Sequence, residues 1–296
     1  GIYQMAPVPL FESPRIKMPR LGLGTGRIGN TANMDTYGEV VAHALKAGYR
    51  LIDTAWKYGT EKGVGEGIRA SGLPREDIFL VTKVSHEYLR AGDFARMVDE
   101  SLANLKVDYV DLLMVHWPSP DQVPLAETMH ALGKARREGK ARHLGVANFN
   151  IAMLDEAMRL CPEPIDSLQV EYHPYLDQGK MLTHVRKLNL PMMAYCPLGR
   201  GKLLSDPVAG EIARAHEHVG HAQVDAVFNP LGVHPKGAKP IAHACGKSGF
   251  RFHRVPYRRP AQRYRGEVLP RAEQMQGPAL ARCFQSLLHF ARQSER

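Results

Sequence analysis

Cysteine is scarce in this chain, and its four copies, Cys161, Cys196, Cys245 and Cys283, never fall in a C-x-x-C spacing. That excludes a zinc knuckle and a dense disulfide framework, so reduced thiols and no metal site are expected. Long apolar runs are missing too. No stretch approaches the roughly 18 residues a membrane span needs, and the first residues lack the basic-then-apolar order of a secretory signal. The expectation is a soluble, cytoplasmic protein with no membrane partner. Acidic residues run short in one place only. Residues 1–216 hold 26 Lys+Arg against 25 Asp+Glu and residues 217–296 hold 13 against 5, so the net charge of +9 sits almost wholly in the last part.

What is present is enough apolar material, 44% of 296 residues, for one large core and a single domain over residues 1–296. Between about residues 35 and 196, apolar β-rich runs alternate with longer amphipathic stretches, the pattern of repeated βα units. Strands are expected at Leu21–Thr25, Arg50–Asp53, Ile78–Lys83, Val110–His116, Ala141–Ala147, Ser167–Val170 and Pro191–Tyr195. Helices are expected at Met34–Ala47, Glu61–Ser71, Asp93–Leu105, Pro124–Glu138, Ile151–Leu160, Lys180–Leu188 and Val208–His216, with an N-terminal hairpin around Met18–Pro19.

Such alternation suits an open sheet or a closed barrel. The polar residues decide: Asp53, Lys83, His116, Asn148, Gln169 and Tyr195 each fall at or just past the C-terminal end of a different strand. A barrel gathers those ends on one face, where barrel active sites are built, whereas an open sheet spreads them along an edge. The fold expected is therefore α/β, a (β/α)8 barrel.

Asp53 ends one strand, Tyr58 follows in the next loop, Lys83 ends the next strand and His116 the one after. A lone His at a strand end reads as structural; in register with the other three it reads as part of a site. Charges closing apolar strands are costly unless paired, and Asp53 with Lys83 is the natural pair. The group suits carbonyl reduction. A carbonyl that receives hydride becomes an alkoxide and needs a proton donor. Tyrosine, with a pKa of about 10, is a poor acid near neutrality unless a cation such as Lys83 favours its phenolate. His116 can hydrogen-bond the carbonyl oxygen. Trp56 and Trp117 flank these positions and are expected to line a substrate pocket.

The stretches Leu21–Thr25, Gly48–Gly59, Thr82-Lys83, His116-Trp117-Pro118, Gly145–Phe149, Gln169–Pro174 and Ala194–Gly199 occur in an order that resembles the aldo-keto reductase family, close to bacterial members related to 2,5-diketo-gluconate reductase, over residues 15–216. The resemblance implies an NADPH-dependent reductase of small-molecule carbonyls, monomeric, with Tyr58 as general acid. It implies that Asn148 and Gln169 hold the nicotinamide carboxamide, that Tyr195 stacks on its ring, that Leu198 passes under the pyrophosphate, and that Thr25 and Asp53 meet the ribose. One departure is Ala147, where the family usually has serine; the lost hydroxyl is worth about 1 kcal/mol.

After His216 the family's eighth strand, its Ile-Pro-Lys motif and its Arg-x-x-Glu-Asn helix are missing, and residues 217–296 are rich in Arg, His, Pro and Gly. The eighth βα unit is therefore in doubt, and an alternative stays open: a catalytically impaired barrel that binds cofactor or partner. The tail has no regular basic helix or aromatic platform, so nucleic acid is not the expected partner. A frame shift soon after His216 would account for charge, composition and motif loss together. Codons for His234–Pro240 read one base downstream permit Ile-Pro-Lys-Ala-x-Asn-Pro, and those for Ala244–Phe252 permit Arg-Val-Glu-Asn-Leu-Gly-Phe-Asp-Phe. Sequencing the gene across residues 210–260 is expected to find both motifs in the shifted frame; their absence overturns the frame shift.

Overall fold

The computed structural model describes residues 10–26 and 35–210. The described residues fall into two compact units: one runs to Glu171 and includes Gln178–Tyr195, and the other comprises Tyr172–Asp177 with Cys196–Gly210.

The first unit opens with an antiparallel hairpin, β1 (Leu10–Glu12) and β2 (Lys17–Pro19), in which Phe11 faces Met18. Then come β3 (Gly22–Gly24), α1 (Asp35–Lys46), β4 (Leu51–Asp53), α2 (Glu61–Ser71), β5 (Phe79–Val84), α3 (Ala91–Leu105), β6 (Val110–Val115), α4 (Leu125–Arg137), β7 (Ala141–Ala147), α5 (Ile151–Leu160), β8 (Ser167–Glu171), α6 (Gly179–Lys187) and β9 (Met192–Tyr195). Strands β3 to β9 pair in parallel in strict chain order. Each expected strand and helix up to Tyr195 is present, with ends moved by a residue or two. Local chemistry sets several ends. Asn150 caps α5 by accepting from Met153 N at 2.9 Å, and Gly139 ends the basic turn after α4 with φ +75°.

Strand alternation sorts the side chains. One set, Ile52, Leu80, Leu113, Val115, Leu144, Val146, Leu168 and Val170, joins the helices' Val41, Leu45, Val64, Phe94, Met97, Leu132 and Leu154 in one large core. The opposite set, Leu51, Val81, Leu112 and Met114, packs with Ile16 and Met18 of the hairpin in a second cluster. The hairpin thus supplies apolar side chains to the inner face of the sheet.

A hydrogen bond proves that the sheet is rolled. Gln169 Nε2, on β8, donates to Asp53 Oδ2, on β4, at 2.7 Å. Those strands are four places apart, about 19 Å in a flat sheet with strands ~4.8 Å apart. This is the parallel α/β barrel expected, of the (β/α)8 class, with seven of its strands among the described residues. The chain is helical at 207–210; the remainder of the expected Val208–His216 helix, the eighth βα unit and the frame-shift region 217–296 lie outside the described residues. No helix among the described residues is long and apolar enough to cross a membrane, and no cluster of His, Cys, Asp and Glu among them could hold a metal ion.

The outer helices meet closely. A Cβ on Gly65 of α2 would lie 2.3 Å from the carbonyl oxygen of Leu105 at the end of α3, whereas one on Gly92 of α3 meets nothing within 4 Å. Gly65→Ala is therefore expected to destabilise the fold by about 1–3 kcal/mol through overpacking. Gly92→Ala should be neutral or stabilising by up to about 1 kcal/mol through helix propensity. Urea unfolding checks the pair; equal midpoints for the two variants would overturn the packing argument.

Candidate active site

The inward parity that places Leu51, Val81, Leu112 and Met114 in the lower interior places Asp53, Lys83 and His116 two residues further along the same strands. Lys83, the penultimate residue of β5, has no exposed side-chain surface and makes a salt bridge to Asp53 Oδ1. Its Nζ also donates to Thr54 O at 2.9 Å and lies 5.4 Å from the centre of the Tyr58 ring. Burial alone pushes the ammonium toward its neutral form. Asp53 and Tyr58 outweigh that through charge and hydrogen bonding, and the net pKa is raised, so Lys83 is a cation at any ordinary pH.

Tyr58 ends a short 3-10 turn, Trp56–Tyr58, which sequence patterning treats as loop. Gly59 closes the turn at φ +68°. The loop is tied at its base by three buried hydroxyls: Thr60 lies 3.3 Å from Thr54 and 3.5 Å from Thr25, and Thr25 donates to Asp53 O at 3.1 Å. Gly26 stands where a Cβ would come within 3.2 Å of Tyr58 Cζ.

His116 directly follows β6, and its ring meets Tyr58 edge to face, 5.5 Å between centres and 81° between planes. Burial, followed by the positive charges of Lys83, His86 and Lys57, pulls its pKa down to about 3. The imidazole is therefore neutral near pH 7, a hydrogen-bond donor and not a proton source.

Asn148 follows β7 at φ +64°, a left-handed conformation that asparagine tolerates. Its Nδ2 donates to His116 O at 2.9 Å and its Oδ1 accepts from Tyr195 Oη at 2.8 Å. With Gln169 against Asp53, the structure brings Thr25, Asp53, Tyr58, Lys83, His116, Asn148, Gln169 and Tyr195 into one hydrogen-bonded mouth. The donor set fits a nicotinamide. Two amides can match a carboxamide, Tyr195 offers a half-buried ring, Asp53 can accept from a ribose hydroxyl, and a Cβ on Gly24 meets nothing within 4 Å.

Three expected site residues remain. Leu198 belongs to the second unit, where it precedes the 3-10 segment Gly199–Ser205 and packs with Leu203, Ala209 and Tyr175. Trp117 is 39% exposed. Trp56 packs toward α3: its ring meets Tyr88 edge-on at 5.2 Å and its indole N–H donates to Glu100 at 2.9 Å. Sequence reasoning missed Thr54, Thr60 and the buried Glu61, whose carboxylate accepts from Thr82 at 2.7 Å on the outer face of β5. The available signal was a Thr-x-x-x-x-x-Thr-Glu run bracketing Tyr58, whose polar residues cannot all face solvent beside a strand end.

Comparison with known proteins gives a consistent result. The Aldo/keto reductase family model matches residues 20–246, running past His216, where the motifs legible in the sequence stop. Methylglyoxal reductase DkgB of Escherichia coli O157:H7 is 38% identical over 201 residues, covering 67% of this chain and 74% of that protein. A solved structure described, provisionally, as 2,5-diketo-D-gluconic acid reductase B is 44% identical with a TM-score of 0.67, covering 71% of this chain and 73% of its own. A Bombyx mori aldo-keto reductase solved in complex with NADP is 29% identical with a TM-score of 0.65, covering 72% and 77%.

The depressed pKa of His116 has a stability consequence. Unfolded, the imidazole takes its proton near pH 6.5; folded, only near pH 3. Between those values the unfolded chain binds the extra proton, so stability falls as pH drops from about 6.5 toward 3, and above 6.5 the effect vanishes. Relative to His116→Gln, the wild type is expected to lose up to about 1.4 kcal/mol per pH unit in that window. Urea unfolding of both proteins between pH 7 and 4 checks this; a constant difference overturns it.

Proposed function

The chain belongs to the aldo/keto reductase family and is thus an oxidoreductase of carbonyl compounds, and from that premise we propose that it reduces a small aldehyde or ketone with NADPH, Tyr58 giving the proton. The observation that carries this reading is the enclosed Lys83 ammonium, paired with Asp53 and set 5.4 Å from the Tyr58 ring. With a nicotinamide bound, hydride would come from it to the carbonyl carbon. The chain's own residues manage the oxygen.

The attraction that holds Lys83 charged is reciprocal, so it favours the tyrosinate and makes the phenol a better acid. His116 is neutral and gives up no proton near pH 7, which leaves Tyr58 as the donor, while the imidazole N–H orients the carbonyl oxygen and steadies its developing charge. The two rings stand edge to face with centres 5.5 Å apart, and in this reading both act on the same oxygen. Asn148 and Gln169 are the amides that would hold the carboxamide, and Tyr195 the ring that would stack on it. Leu198 would serve the pyrophosphate. NADPH as the partner is supported by family membership and by the NADP complex of the Bombyx mori relative. Trp117, 39% exposed just past His116, would offer the substrate an apolar surface, and Trp56, two residues before Tyr58, would line the same pocket. The assembled four-residue group favours turnover over a binding-only barrel.

Tyr58→Phe keeps the ring and removes the acid. It is expected to lower the carbonyl-reducing rate at least about a hundredfold, the lower range for general acid catalysis, with little change in NADPH affinity. Rates with an aldehyde panel and a fluorescence titration of NADPH measure both. Full activity in Tyr58→Phe would overturn the proposal.

A further inference from the structure

Gln169 is 5% exposed, and its side chain crosses the inside of the sheet to reach Asp53. A carboxylate has no proton to give, so the 2.7 Å contact to Asp53 Oδ2 is donated by Gln169 Nε2, and the chemistry alone sets the amide's orientation. Asp53 then has both oxygens engaged from opposite walls: Oδ1 by Lys83 on the neighbouring strand, Oδ2 by Gln169 four strands away.

This second contact matters because the terminal torsion of an aspartate is broad and roughly two-fold, so a partner on one oxygen alone leaves the carboxylate free to turn. Asp53 sits at the end of a three-residue strand, with 15% of its side chain exposed. Lys83 has no exposure at all and depends on that carboxylate for its counter-charge. A turned Asp53 would leave the ammonium with Thr54 O and the Tyr58 ring, and would pull it off the line between acid and counter-ion.

We propose that Gln169 is a positioning residue for the proton donor: by holding Asp53 Oδ2 across the barrel, it sets the carboxylate that holds Lys83 against Tyr58. This role is separate from contact with a carboxamide. It rests on the reading of Tyr58 as the acid.

The first measurement uses the full chain without cofactor. The Tyr58 phenol is titrated by ultraviolet difference absorbance, with Tyr58→Phe as the blank. In Gln169→Leu the titration is expected to move upward by about half a unit or more, as the aligned cation is lost, and the pH profile of carbonyl reduction to move the same way. A residue that only holds cofactor would change the cofactor Kd and leave the phenol's titration in place; that result overturns the proposal. A second arm exchanges the groups. Asp53→Asn and Gln169→Glu are each expected to lower Tm, and the double variant, which restores one amide and one carboxylate across the same gap, to recover at least about half of the summed loss. Additive losses overturn the proposal. The phenol titration and the exchange of groups read by Tm need no turnover, so a wrong assignment of Tyr58 would show separately, as an active Tyr58→Phe enzyme beside an intact exchange rescue.

Discussion

An ammonium with no exposed surface is the constraint around which this barrel is arranged. Removing a charge from water costs several kcal/mol even after relaxation, and only close, well-oriented partners offset it. Lys83 finds them in Asp53, Thr54 O and Tyr58, which all come from the preceding strand and the loop after it. The pairing of β4 with β5 is therefore electrostatic as well as a backbone ladder. It sets Asp53 opposite Val81, so that Lys83, two residues beyond on the same inner face, reaches back to it. The same cation helps keep His116 neutral. One buried charge thus divides the chemistry, with a phenol that gives a proton and an imidazole that only donates a hydrogen bond.

Much of this was legible before any coordinates. Strand alternation has a period of two, so a titratable residue ending an apolar run shares a face with residues two and four positions earlier. Asp53 follows Leu51, Lys83 follows Val81, and His116 follows Met114 and Leu112; once the strands are placed, the inner face and its polar rim follow. Rolling into a barrel was legible for the same reason, since six polar strand ends make sense together only if they converge. Helix ends marked by local chemistry, such as Asn150 and Gly139, were equally readable.

Contacts that cross the barrel were not. Gln169 and Asp53 are 116 residues apart, and nothing in either segment announces the other; their meeting depends on barrel curvature and on which amide end turns inward. Asn148 was read as a cofactor contact, yet here it also links Tyr195 to the backbone of His116. Trp56 was read from its neighbours as a pocket wall, and position along the chain does not tell that its indole N–H finds Glu100 on α3. The 3-10 turn bearing Tyr58 has too few residues for a periodic signal. It is tied instead by Thr25, Thr54 and Thr60, three hydroxyls from two segments.

The two ends of each strand carry different burdens. At the start of β6, Asp111 accepts from Leu80 N and pairs with Arg75 and Arg142, whose guanidinium groups both stack on Tyr109; just past its other end stands His116. At the start of β8, Asp166 gathers Arg136 and His143, and two residues into the strand stands Gln169. The acids at the N-terminal ends are satisfied by several scaffold donors each. The polar groups of the mouth are satisfied largely by one another, through the chain Gln169–Asp53–Lys83 and the chain Tyr195–Asn148–His116. A group held by several scaffold donors tolerates the loss of one; a group held by another functional group does not. Substitutions at the C-terminal mouth are therefore coupled to chemistry even when the altered residue never touches the reacting atoms, and that coupling makes Gln169 part of the proton donor's support.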